Sequence, residues 1–224
     1  MVRCANPNFW LLAAVAAIAG GGVLAARYFH KKRHEDLATV ALSLGFDFEQ
    51  EAPSVPGELK AMLPVFMVGS DKTCSNQMIR RTGDRQFLVF DYSYTTGTGK
   101  NRTVHSQTIA AFNCGSFLPQ FQLCPEHMGH KIMQLFGYQD IDFPETPEFS
   151  KKILLRGPDE AAVRSLLTME VRMFLQGMSG WHIEGAGQWL AAYKSGGTQK
   201  PQDYVSYVEQ ARRIAMVFGM RGLP

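Results

Sequence analysis

The stretch QFLVFDYSYTTGTGKNRTVHSQTIAAF, residues 86–112, decides the fold. Two runs rich in aromatic and β-branched residues, 86–94 and 102–112, flank a turn-forming segment that holds two glycines. This pattern predicts an antiparallel β-hairpin. Because side chains alternate along a strand, Leu88, Phe90, Tyr92 and Tyr94 are expected on one face and Asp91 on the other. We expect the Asp91 face to be polar and in contact with water.

The segments on either side of the hairpin predict a mixture of strands and helices. A helix is expected over 37–44, ending at Gly45, and a connector over 47–58. Towards the C-terminus we expect a strand at 120–123, a helix near 128–136, a loop at 141–150 and a strand at 151–155. One helix is expected from 157 to about 175. A second hairpin, formed by 181–184 and 188–194, and a last helix from 201 complete the predicted elements. Strands and helices without regular βαβ alternation indicate the α+β class, an antiparallel sheet with packed helices.

The N-terminus predicts one transmembrane helix ahead of this domain. Phe9–Ala26 is 18 residues long and carries no charge, enough to cross the hydrocarbon core as a helix. Trp10 stands near one end and Tyr28 and Phe29 at the other, as at the two membrane interfaces. We therefore divide the chain into an anchor with a basic flank, 1–34, and a domain, 35–224.

The positive charge of the chain is concentrated beside this anchor. The net charge is +3, yet residues 35–224 hold 18 basic and 20 acidic residues. The cluster after the apolar stretch contains Arg27, Lys31, Lys32 and Arg33, which by the positive-inside rule puts the domain in the cytoplasm. A domain with a slightly negative charge argues against nucleic-acid binding.

The alternatives to an uncleaved anchor are a cleaved signal peptide and a buried helix of a soluble protein. Val23–Leu24–Ala25 resembles a signal-peptide cleavage site, and cleavage would make the domain an exported one. Small residues also recur every four positions, a spacing that suits close packing of two transmembrane helices and hence self-association. These residues are Ala13, Ala17, Gly21 and Ala25.

Candidate chemical groups are few and form no complete motif. Asp91 and His105 lie on paired strands, and this pair or a cysteine is the basis of an alternative interpretation as a hydrolase. Gly97–Thr98–Gly99–Lys100 departs from a phosphate-binding loop, since Asn101 follows the lysine and strands lie on both sides. We expect a plain turn there and no cofactor.

Four residues are candidate zinc ligands, although their spacing matches no common zinc module. They are Cys114, Cys124, His127 and His130. The more ordinary interpretation is two reduced cysteines and two surface histidines, and we predict no metal centre.

The hairpin resembles the signature of a family of uncharacterised bacterial membrane-anchored proteins that carry a domain of unknown function. The shared positions are Asp91, Tyr92, Tyr94, Gly97, Gly99, Lys100, Arg102, His105 and Gln107. A weaker distal block covers 151–193. The resemblance implies an N-terminal span and one α+β domain, but no activity. We therefore predict a single-pass membrane protein whose cytoplasmic domain is a non-enzymatic binding or scaffolding module for a protein partner.

Overall fold

The computed structural model describes residues 28–29, 31–49, 56–126 and 138–220, without the side chain of Cys114. In chain order the elements are α1 (31–44), β1 (Asp47–Glu49), α2 (Gly57–Met62), β2 (Ser70–Thr82), β3 (Arg85–Thr96), β4 (Thr103–Pro125), α3 (Pro147–Lys152), β5 (Ile153–Arg156), α4 (Glu160–Leu166), α5 (Met169–Gln176), β6 (Trp181–Lys194) and α6 (Tyr204–Val217). Short 3-10 helices cover Pro64–Phe66, Gly99–Asn101 and Pro201–Asp203.

The predicted hairpin lies at the centre of one six-stranded sheet in which every strand pairing is antiparallel. β3 and β4 pair continuously from Gln86↔Asn113 to Thr96↔Thr103, which confirms the hairpin and its register. β2 and then β1 extend the sheet beyond β3. On the other edge of β4 lies β6, and β5 pairs with the far end of β4. The α+β class with an antiparallel sheet and packed helices is confirmed.

Both faces of the sheet are covered, each by a different part of the chain. One face carries the larger core, in which Phe87, Val89 and Phe112 pack with Leu37 of α1 and Ala211 of α6. Helices α3, α4 and α5 contribute to the same core. The opposite face carries the predicted stripe of Leu88, Phe90, Tyr92 and Tyr94. The segment 57–68, called the cap segment below, buries that stripe with Leu59, Leu63, Val65 and Phe66.

Two predictions about β-structure are wrong. The expected second hairpin is one continuous strand, β6, whose pairing with β4 shifts near Gly185 and Gly187 instead of reversing there. A β-carbon at Gly185 would lie 2.3 Å from Cε1 of the buried Phe121 ring, so this glycine serves close packing and not a turn. The expected separate strand at 120–123 is the end of β4, which runs for 23 residues.

Other elements differ from expectation for local reasons. β2 is a largely polar strand that the hydrophobic pattern does not predict, and β1 lies within the expected connector. The single helix expected from 157 is divided at Thr168, whose side chain accepts a hydrogen bond from the Val171 amide and begins α5. α3 occupies the end of the expected loop. The helices expected at 37–44 and after residue 201 are confirmed.

The predicted span Phe9–Ala26 and the helix predicted near 128–136 lie outside the described residues. Among the residues that the structure does describe, no helix has the length and apolar character needed to cross a bilayer. Helix α1 already covers residues 31–44, so it includes part of the basic cluster that the sequence analysis assigned to the anchor.

Candidate functional site

Asp91 lies at the centre of a buried polar network on the face of the sheet that carries the larger core. Asp91 is only 6% exposed, so the expectation that this face of the strand contacts water is wrong. Oδ2 accepts hydrogen bonds from Arg33 Nη2 at 2.8 Å and Nε at 3.3 Å, and from Asn76 Nδ2 at 2.9 Å. Oδ1 accepts from Thr108 Oγ1 at 2.7 Å and from the Tyr204 hydroxyl at 3.0 Å. We call these five residues the Asp91 network.

The network joins elements that are distant in the chain. Arg33 belongs to α1, Asn76 to β2, Thr108 to β4 and Tyr204 to α6. Burial, followed by the nearby Asp91 carboxylate, raises the pKa of the Tyr204 hydroxyl, which keeps it protonated as a donor. Because a buried carboxylate needs donors to offset its lost hydration, this arrangement stabilises the charge of Asp91.

Further hydrogen bonds extend the network. The Tyr207 hydroxyl lies 2.6 Å from the Thr108 carbonyl oxygen, and the Gln199 amide donates to Thr108 Oγ1 at 2.8 Å. His34 Nδ1 pairs with the side-chain oxygen of Asn76. Asn76 holds a positive φ of 54° where the register of β2 against β3 shifts, an irregularity that turns its amide towards Asp91.

A cleft of about 220 Å³ opens beside the network. Arg33, Asn76 and Asp91 contribute to its lining, with the strand β2 on one side and the loop before α6 on another. The remaining lining is rich in hydroxyl groups, which belong to Thr73, Ser75, Ser93, Ser106 and Thr198. We call this space the polar cleft.

The structure does not bring Asp91 and His105 together. Asp91 pairs with Thr108, whereas His105 pairs with Tyr94 three residues further on, and an odd separation places the two side chains on opposite faces of the sheet. His105 stacks on Tyr94 at 4.9 Å and its Nε2 lies 2.7 Å from Thr96 Oγ1. The hydrolase hypothesis that pairs Asp91 with His105 therefore lacks the side-chain contact that it requires.

The other residues of the predicted hairpin motif are either buried in the sheet or located at the tip of the hairpin. Tyr92, Tyr94 and Gln107 are buried. At the tip, Gly97 holds φ 76° and a β-carbon there would lie 2.3 Å from the Asn101 oxygen; Gly99 and Lys100 enter a short 3-10 helix. Exposed Arg102 donates to Asp71 at 3.1 Å. Strands on both sides of this tip are consistent with a plain turn.

The zinc candidates are only partly described. Cys124 is buried, and burial raises the pKa of its thiol to about 12, which disfavours the thiolate that zinc requires. His127, His130 and the side chain of Cys114 lie outside the described residues. Within the described ranges, no group of three metal-binding side chains occurs.

A second buried carboxyl group lies on the other face of the sheet. Glu184 is 2% exposed and accepts hydrogen bonds from the Val65 amide at 2.9 Å, the Tyr193 hydroxyl at 2.8 Å and Gln122 Nε2 at 3.3 Å. Burial raises its pKa to about 7, with hydrogen bonds acting in the opposite direction. Val65 belongs to the cap segment, so this carboxyl group holds the cap segment on the sheet.

Sequence reasoning missed most of this polar chemistry. The sequence pattern predicts Arg33 as part of the membrane flank and gives no functional role to Asn76, Tyr204 or Glu184. One signal was available: Asp91 and Glu184 each stand inside a strongly apolar strand, where a charge requires partners from elsewhere in the fold. The identity of those partners depends on the tertiary structure.

Comparison with known proteins identifies a shared fold. Neither protein-family models nor curated proteins match the chain. Among solved structures, the chain is similar to the crystal structure of the mycobacterial trehalose monomycolate transport factor A, TtfA, with a TM-score of 0.60 and 14% sequence identity. The match covers 86% of this chain and 96% of that one. At this identity the likeness concerns the fold alone.

Proposed function

We propose that the protein is a membrane-anchored, cytoplasm-facing accessory protein that binds a partner in a membrane transport process and catalyses no reaction itself. The observation that carries this proposal is the fold, which matches a protein named as a transport factor over nearly its whole length. The predicted span and the basic residues after it support attachment to the bilayer. Membership of the membrane-anchored family with the shared hairpin motif belongs to the same proposal.

The chemistry of the Asp91 network supports a binding role over an enzymatic one. All five donors converge on one carboxylate, which leaves its lone pairs occupied and makes it a poor general base. Burial raises the pKa of the half-buried Cys74 thiol to about 11 and that of the buried Cys124 thiol to about 12, so neither is an activated nucleophile.

Anchoring and orientation are tested first. The protein is expected to stay in the membrane pellet after carbonate washing, and a protease is expected to cleave the domain in inverted vesicles but not in intact spheroplasts. Release by carbonate would contradict the anchor. Cleavage in spheroplasts would favour the exported-domain alternative instead.

The partner is tested by cross-linking in native membranes and purification of the intact chain. We expect enrichment of a polytopic membrane transport protein. Two matched controls separate the contributions: the natural anchor on an unrelated soluble domain, and this domain on an unrelated single-span anchor. If the transport protein is enriched with this domain on the unrelated anchor, but not with the natural anchor on the unrelated domain, the domain is the part that binds it. If neither the intact chain nor the second control enriches a transport protein, the proposal fails.

Self-association through the small-residue face of the span is a separate proposal. A transmembrane association reporter carrying residues 1–34 should lose signal when Gly21→Ile fills that face, whereas Leu12→Ile should not change the signal. An unchanged signal with Gly21→Ile would exclude this face.

A further inference from the structure

The polar cleft contains hydrogen-bonding groups that the Asp91 network does not use. Arg33 donates to Asp91 through Nε and Nη2, so its guanidinium is held in place while Nη1 forms no hydrogen bond with any described residue. The hydroxyls of Ser75, Ser106 and Thr198, which line the same cleft, likewise form none within the described part of the chain. A cleft lined by a fixed guanidinium and by hydroxyls that make no hydrogen bond to described residues is suited to a small polar ligand.

The charge of the polar cleft selects among such ligands. The positive charge of Arg33 is balanced by Asp91 at 2.8 Å, and the rest of the lining is uncharged. A phosphate would gain little from a guanidinium that is already neutralised. A sugar hydroxyl both donates and accepts hydrogen bonds, and so matches Arg33 Nη1 together with serine and threonine hydroxyls. The volume of about 220 Å³ is below the range of drug-sized pockets and suits roughly one sugar ring.

The predicted span would place the cleft near the bilayer, because Arg33 is close to it in the chain. Arg33 follows Arg27, the predicted cytoplasmic end of the span, by six residues. Even a fully extended chain covers at most about 20 Å over that distance. A lipid head group in the same leaflet is therefore within reach of the cleft.

We propose that the polar cleft binds the sugar of a neutral glycolipid head group. This inference rests on the membrane anchoring that is part of the proposed function, and it adds the ligand class. The residues that would contact the sugar all line the cleft of this chain, so sugar binding is measurable without a protein partner.

The test uses the full chain in phosphatidylcholine nanodiscs, because many detergents carry sugar head groups. Glucose is the first probe, detected by saturation-transfer NMR, and inorganic phosphate is the second. We expect glucose to bind in the millimolar range and phosphate not to displace it. The double variant Ser75→Ala/Ser106→Ala should weaken glucose binding by about five- to tenfold. Ser43→Ala, which removes an exposed hydroxyl of α1 outside the cleft lining, should leave binding unchanged.

A blocking variant and a lipid arm complete the test. Ser106→Trp should fill the cleft and abolish glucose binding, and a thermal melt verifies that this variant folds. If the tryptophan variant does not fold, the double alanine variant decides whether glucose binds in the cleft. Discs doped with a glucosyl diacylglycerol should lose the signal of free glucose, whereas retention of that signal would assign the site to a soluble sugar and overturn the lipid assignment.

The sugar proposal is overturned if glucose does not bind, if the alanine pair binds it like the unmodified chain, or if phosphate displaces it. None of these outcomes affects capture of a transport protein in native membranes. Conversely, failure of that capture with intact glucose binding would contradict the proposed transport role alone.

Discussion

Asp91 shows how one residue decides the environment of several others. Its carboxylate is the common acceptor for groups from α1, β2, β4 and α6, so its removal leaves the Arg33 guanidinium and Asn76 Nδ2 without their acceptor. Removing one partner of a buried ion pair costs far more folding free energy than removing one partner of an exposed pair, because water does not fully rehydrate the charge that remains. The Arg33 side chain is 23% exposed, so part of that penalty is relieved by water.

We therefore expect Asp91→Ala to lower the free energy of unfolding by about 3 kcal/mol in urea denaturation. The matched control is Arg102→Ala, which breaks the exposed ion pair with Asp71 and should cost less than about 1 kcal/mol. Equal effects of the two variants would contradict a structural role for the Asp91 network.

Glu184 gives a pH dependence whose sign follows from its raised pKa. Below about pH 4.5 the carboxyl group is protonated in both the folded and the unfolded chain. Between about 4.5 and about 7 the unfolded chain releases the proton while the folded chain keeps it, so stability falls as the pH rises through this window. The difference is on the order of 3 kcal/mol.

The measurement compares urea denaturation of the unmodified chain and Glu184→Gln at pH 5 and pH 8. The glutamine keeps the acceptor oxygen but does not titrate, so the variant should be less sensitive to pH by the amount given above. Identical pH profiles for the two proteins would show that Glu184 ionises over the same pH range in the folded and the unfolded chain, and would contradict the raised pKa.

At the scale of elements, β6 shows how a sequence signal for a turn is overridden by packing. Three residues with two glycines normally suggest a reversal. Here β4 is long enough to pair with both halves of β6, and the glycines let the strand pass close to Phe121 and Met62. The irregular pairing keeps Glu184 and Tyr193 on one face of the sheet, where they form a hydrogen bond.

We expect Gly185→Ala to lower the thermal midpoint, with a cost of about 2 kcal/mol, because the added β-carbon collides with the fully buried Phe121 ring. Phe121→Leu in the same chain should recover part of that loss by making room. Gly57→Ala is the control, since a β-carbon there meets nothing within 4 Å, and it should be close to neutral. A neutral Gly185→Ala would favour an open turn at this position.

At the scale of the whole molecule, α1 connects the predicted membrane segment to the sheet. The sequence predicts residues 1–34 as the anchor and its basic flank, yet Arg33 and His34 contact Asp91 of β3 and Asn76 of β2. The residues of the basic cluster therefore differ in their surroundings. Lys31 and Lys32 are exposed, whereas Arg33 forms an ion pair with a buried carboxylate of the domain.

We expect the fragment 28–224 to fold stably and the fragment 35–224 to melt about 5–10 °C lower, since the second lacks both network contacts. Arg33→Ala within 28–224 should reproduce most of the loss, which separates the lost ion pair from simple shortening of α1. Equal melting temperatures for the two fragments would support a domain boundary at residue 34.

Local sequence patterns correctly predict the central hairpin, which side chains share each of its faces, the last helix and the α+β class. These features depend on local alternation of side chains and on glycine-rich turns, which act between neighbouring residues. The tertiary structure decided the rest. The polar strand β2 exists because it pairs with β3, and the continuity of β6 depends on a partner strand some sixty residues away. The burial of Asp91 and Glu184 is of the same kind, because a charge inside the protein is stabilised only by donors that the fold brings to it.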